Sequence, residues 1–126
     1  MKKHIATRSN SIINQYELWL SDIPEIMGNH VLHGFRPILI VSNNASNAYS
    51  PNVTAVPLTS RMNKRYLPTH VHLQEQGLHK NSLALCEQII TLDKYHLKHR
   101  IGYISNECDR LAVQQALAVH LGITTA

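Results

Sequence analysis

Arg36 stands directly before Pro37 and a continuous apolar run, Ile38-Leu39-Ile40-Val41, and a second β-rich run closes on Pro57-Leu58-Thr59-Ser60. A guanidinium offers two parallel donors to two phosphate oxygens, and a neighbouring hydroxyl adds another. If the two runs are adjacent antiparallel strands, Arg36 and Thr59 meet at one end of the sheet and form a site for a phosphate. The plainer alternative for Arg36 is a structural ion pair at a strand end. His30 and His33 lie in the loop from Gly28 to Gly34 that leads into Arg36, so that loop can fold over whatever Arg36 holds. Beyond Ser60, the run Arg61-Met62-Asn63-Lys64-Arg65-Tyr66 reads either as a solvated connection or as a basic, stacking-capable lip for nucleic acid. The residue types alone favour the solvated connection.

Two other constellations are weaker. His70 and His72 alternate in Thr69-His70-Val71-His72-Leu73 and share one strand face, but no third ligand follows at useful spacing. A solvated face is expected there, and no metal or other cofactor. Cys86 has Glu87 beside it, an anion that raises a thiol pKa, so a buried structural thiol is expected rather than a nucleophile.

The elements that must position these groups follow from length and pattern. A chain of 126 residues with 44% hydrophobic and 16% charged residues has the composition of one globular domain. A formal charge of +4 and a pI near 9.3 favour polyanionic partners. No apolar stretch is long enough to span a bilayer, and no apolar segment follows Lys2-Lys3, so neither a membrane span nor a secretory signal is expected. Two cysteines without framework or metal spacing fit a reduced, cytoplasmic compartment.

Residues 1–14 are polar and basic and read as an extension, with the domain proper over 15–123. Tyr16 to Leu20 is rich in strand formers and ends at Asp22-Ile23-Pro24. The stretch between Val41 and Ser50-Pro51 reads as a polar turn, and Gln74 to Asn81 as a loop around Gly77. Ser82 to Cys86 is a short apolar strand, and Lys94 to Arg100 reads as one or two helical turns carrying a basic cluster. Ser105 or Asn106 caps a C-terminal helix in which Val113, Ala116, Leu117 and Leu121 form a packing stripe and Gly122 is the stop. The sum is a mainly β core of five to seven short strands with one terminal helix.

Taken in order, Glu17-Leu18-Trp19, Gly34-Phe35-Arg36-Pro37, Ser50-Pro51, Val56-Pro57-Leu58-Thr59-Ser60, Leu67-Pro68-Thr69-His70-Val71 and Glu87-Gln88-Ile89-Ile90-Thr91-Leu92-Asp93-Lys94 resemble the MazF/PemK (Kid) family of toxins from type II toxin–antitoxin pairs. The resemblance implies an SH3-like small β-barrel of the CcdB/MazF type with a C-terminal helix. It also implies a homodimer that cuts single-stranded RNA sequence-selectively and is neutralised by a cognate antitoxin. Arg36 matches the family's catalytic arginine, Thr59 its hydroxyl with Ser60 in support, and Glu87-Gln88 an acidic-Gln pair near the scissile phosphate. His30 or His33 falls where some members carry a histidine. Arg61, Lys64 and Arg65 would line the RNA path. The family's opening Arg-Gly is Gln15-Tyr16 here, and Ile90 stands where an arginine is common, which bears on sequence preference.

On that resemblance the nucleophile is the RNA 2′-hydroxyl, so the expected protein groups are a base, donors for the phosphorane and an acid for the departing oxygen. Arg36 and Thr59 supply the donors, and Glu87, His30 or His33 the base. The expected products carry 2′,3′-cyclic phosphate and 5′-hydroxyl ends. Two rival readings keep the same fold: a CcdB-like gyrase poison, poorly matched because Leu121-Gly122-Ile123 lacks a tryptophan, and a catalytically inactive binding module.

Overall fold

The computed structural model describes residues 12–25, 32–61, 67–75 and 77–123. Among these residues seven strands and two α-helices follow one another: β1 (Glu17–Ile23), β2 (Gly34–Ile40), α1 (Asn44–Tyr49), β3 (Asn52–Thr59), β4 (His70–Leu73), β5 (Ser82–Leu85), β6 (Ile90–Asp93), β7 (Leu97–Tyr103) and α2 (Glu107–Leu121). The strands pair antiparallel in the order β4-β5-β3-β2-β1-β7, with β6 also on β3. The result is a mainly β, barrel-like sheet with a C-terminal helix, as expected. Among the described residues no helix is long and apolar enough to cross a membrane.

β3 is the hinge of this sheet. Its first half pairs with β6, from Asn52↔Asp93 to Ala55↔Ile90, and its end pairs with β5 through Leu58↔Ala84 and Thr59↔Leu83. Pro57 lies between the two halves, where a residue without an N–H costs the ladder least. The strand-period alternation then feeds two cores. Leu18, Leu39, Val56 and Leu58 pack with Val113 and Ala116 of α2, while Trp19, Ile38, Ile40, Val53 and Ala55 pack with Leu92 and Leu97.

Several local expectations change. The polar turn after Val41 is α1, whose N-terminus is capped by Asn43 Oδ1 accepting from the Ser46 N–H at 2.8 Å. Its six residues are too few to display an apolar period. The expected helix from Lys94 to Arg100 is a 3₁₀ turn over Lys94–His96 followed by β7, because pairing with β1 supplies the backbone bonds a short isolated helix lacks. Ile13, inside the expected extension, is buried in the second core. His70 is buried rather than solvated, whereas His72 is exposed. In α2, Val113 and Ala116 face the core and Leu117 packs against it, but Leu121 is exposed. Asn106 is the cap, accepting from Cys108 N–H at 2.7 Å, and Gly122 ends the helix at φ 71°.

Tyr16 occupies the left-handed region at φ 73°, the backbone that glycine adopts without penalty. The strain is tolerated because its ring is held from α2: Gln114 Nε2 donates to the hydroxyl at 2.6 Å and the Arg110 guanidinium lies 4.9 Å from the ring centroid. These contacts give a local physical account of a tyrosine in a backbone conformation that favours glycine.

Candidate functional site

The β2–β3 register, Ile38↔Pro57 and Leu39↔Val56, sets Arg36 opposite Thr59 when carried two residues further. Gly34 opens β2 at φ 91°, a turn that delivers Arg36 to the strand's first residues, and Pro37 keeps Arg36 extended. The guanidinium is oriented by backbone carbonyls: Nε donates to His33 O at 3.0 Å, and Nη1 makes a long bond to Leu58 O at 3.4 Å. No carboxylate is paired with it among the described residues. Desolvation on partial burial holds its pKa below the ordinary arginine value, though an arginine remains charged.

Thr59 is nearly buried at the end of β3, and its Oγ1 accepts from Arg61 N–H at 3.2 Å. No acceptor among the described residues takes the hydroxyl's own proton, and Thr59 lines the same space as Arg36. That space is a cleft of about 710 Å³. Arg36, Thr59, Ser60, Arg61 and Gln88 line it together, with apolar wall from Leu20, Pro37 and Ile101. Gln88 Oε1 accepts from Leu32 N–H at 2.9 Å, which ties the chain entering Arg36 to the segment after β5. The cleft can therefore present charge-assisted and neutral donors to an anion on an otherwise apolar wall, the chemistry of a phosphate or phosphodiester site.

Other expected site residues fall elsewhere. The carboxylate of Glu87 does not line the cleft. Its Oε1 accepts from Thr69 Oγ1 at 2.8 Å, and its Oε2 lies 3.2 Å from His70 Nε2. Because His70 Nδ1 accepts from Leu67 N–H at 3.4 Å, Nε2 is the protonated nitrogen in the neutral ring and donates to Glu87. Burial, with Glu87 adding to it, pushes the neighbouring Cys86 thiol up to about 12, as expected of a structural thiol. The His33 ring lies 3.9 Å from Glu25 and outside the cleft lining, and its carbonyl accepts from Arg36 Nε. His30, Lys64 and Arg65 lie outside the described residues.

Among the lining residues not foreseen are His79 and Lys80. They belong to the connection between β4 and β5, and no spacing in the chain links them to Arg36. Gly77 brings them there. A Cβ at Gly77 would sit 1.8 Å from Ile101 O, so only glycine lets this connection press onto the backbone of β7.

A barrel-like antiparallel sheet with a terminal helix, and a cleft lined by cationic side chains at the β2–β3 end, define a small, mainly β protein with a cation-lined groove. Residues 14–121 match the family described as "PemK-like, MazF-like toxin of type II toxin-antitoxin system". The chain belongs to that family. Among solved structures it is similar to an endoribonuclease from mycobacterial species, at TM-score 0.73 and 26% identity over 92% of this chain and 97% of that one. It is also similar to a mycobacterial endoribonuclease in complex with its cognate antitoxin, at TM-score 0.73 and 29% identity over 90% and 99%. MazF from Deinococcus radiodurans shares the fold at TM-score 0.74 and 23% identity, over 90% of this chain and 99% of that one.

Proposed function

We propose that this protein is the toxin of a toxin–antitoxin pair and acts as a metal-independent endoribonuclease on single-stranded RNA. The observation that carries the reading is that, among the described residues, a guanidinium without a carboxylate partner and a hydroxyl whose proton no acceptor takes line one cleft. RNA brings its own nucleophile, the 2′-hydroxyl. The protein's task is to hold the phosphodiester in line and to stabilise charge on the phosphorane.

In this scheme Arg36 binds two non-bridging oxygens and Thr59 donates to one of them. Ser60 and Gln88 support the ribose-phosphate, and Arg61 attracts the flanking backbone. Attack of the 2′-oxygen on phosphorus expels the 5′-oxygen, leaving a 2′,3′-cyclic phosphate and a 5′-hydroxyl. Recognition of unstacked bases along the apolar wall supplies the sequence preference. The active form is a homodimer whose cleft is covered by a segment of an antitoxin. Support for the antitoxin comes from the similar mycobacterial endoribonuclease, which was solved in complex with its own.

The test is incubation of the purified chain with a long RNA in excess EDTA, followed by mapping of the product ends. Discrete cuts with 2′,3′-cyclic phosphate and 5′-hydroxyl ends are expected. Uncut RNA, or cutting abolished by EDTA and restored by a divalent cation, refutes the scheme.

A further inference from the structure

Cleavage by 2′-hydroxyl attack requires a base, and the identity of that base rests on the ribonuclease reading being right. Glu87 has both carboxylate oxygens engaged by Thr69 and His70, and the His33 ring does not line the cleft. Among the described lining residues, the one imidazole, whose ring nitrogens can accept as well as donate a proton, is that of His79. We propose that His79 is the general base of the cleavage reaction.

The loop that carries His79 is anchored on both sides of it. Leu78 packs against the first core and its N–H donates to Glu75 O at 2.9 Å. Ser82, itself buried, donates through Oγ to Lys80 O at 3.0 Å. Gly77 presses on Ile101 O, so the loop rests on β7 itself. His79 is exposed, yet Leu78 and Ser82 anchor the chain on either side of it, the preorganisation a proton-transfer group needs. Among the described residues, Arg36, Arg61 and Lys80 line the same cleft, and Glu75, which feels Asp109 of α2, belongs to the same loop.

The step balances without a further reactant. The unprotonated imidazole nitrogen takes the proton of the 2′-hydroxyl, and the 2′-oxygen forms a bond to phosphorus. The bond from phosphorus to the 5′-oxygen breaks, and that oxygen takes a proton from cleft water. The imidazolium then returns its proton to the solvent.

Single-turnover cleavage by the full chain, measured at saturating enzyme from about pH 5 to 8, tests this on wild type, His79→Ala, His79→Gln, His30→Ala and Lys80→Ala. RNA binding is measured in parallel, and circular dichroism checks folding. The wild-type rate is expected to rise with pH over this range, as a reaction that needs an unprotonated base does. Both His79 variants are expected to lose on the order of 10²-fold or more in rate and to lose that rise, with RNA binding retained. Added imidazole should restore part of the rate to His79→Ala. Wild-type rates in the His79 variants, a slowed reaction that keeps the rise, or a rise lost in His30→Ala instead each overturn the assignment. Loss of binding in proportion to rate also overturns it, leaving His79 as a grip on RNA. A wild-type chain that cuts no RNA brings down the ribonuclease reading itself, an outcome separate from normal cutting by His79→Gln.

Discussion

Two polar clusters flank β3 and β5, and they use similar side chains to opposite ends. In the Thr69–His70–Glu87 cluster, hydroxyl, imidazole and carboxylate satisfy one another, and His70 is only 5% exposed. At the Arg36–Thr59 end, the guanidinium leans on backbone carbonyls and no acceptor among the described residues takes the threonine's proton. The first arrangement uses its hydrogen-bonding capacity internally and so stabilises a connection. The second leaves capacity facing a cleft and so can bind. Residue type does not separate them, since a carboxylate-imidazole-hydroxyl set has the ingredients of a catalytic triad. What separates them is where the unused donors point.

The comparison breaks first at Arg36. Arg36→Ala should fold with an unchanged melting profile and lose on the order of 10²–10³-fold in RNA cleavage, the cost of a lost oxyanion donor. Cleavage at the wild-type rate would place that end of the sheet among the structural clusters. Glu87→Ala should do the reverse. It leaves Thr69 and the buried His70 without their acceptor and should cost about 1–3 kcal/mol of unfolding free energy. Its cleavage rate at a temperature where it is folded should stay near wild type. A stable but inactive Glu87→Ala protein would return Glu87 to the reaction.

The smallest effect sharpens the structural side. The Cys86 thiol titrates at about 12 in the folded chain against an ordinary value of 9.0. Between those values the unfolded chain releases a proton that the folded chain keeps, so the unfolded state binds fewer protons and stability falls as pH rises. Below about 9 the contribution is fully present. Denaturant titrations should show wild-type stability declining more steeply than that of Cys86→Ala across this window, by at most about 1.4 kcal/mol per pH unit. Equal slopes would mean the thiol is not desolvated, contrary to its complete burial.

Much of the architecture was legible in the chain. The apolar run after Arg36-Pro37 and the Pro57-to-Ser60 ending marked β2 and β3, and their antiparallel pairing brings Arg36 and Thr59 to one end. Asn106 and Gly122 marked the ends of α2. Less legible were α1, too short for a period, and β7, whose basic residues looked helical until β1 supplied a partner. The direction of Glu87 was hidden as well. Neighbours in sequence to a site residue such as Gln88 can face the opposite way, and in the turn after β5 they do.

By itself, then, the order of residues determined the strand pair, the cation at its start, the hydroxyl at its end and the terminal helix, because each is encoded in local period, proline placement and capping. Tertiary structure alone decided which polar groups satisfy one another and which are left to a ligand. It also decided that Gly77, by lying against Ile101 O, carries His79 and Lys80 into the cleft. The physical reason is that hydrogen-bond satisfaction and close backbone approach depend on residues far apart in the chain, which no local pattern records.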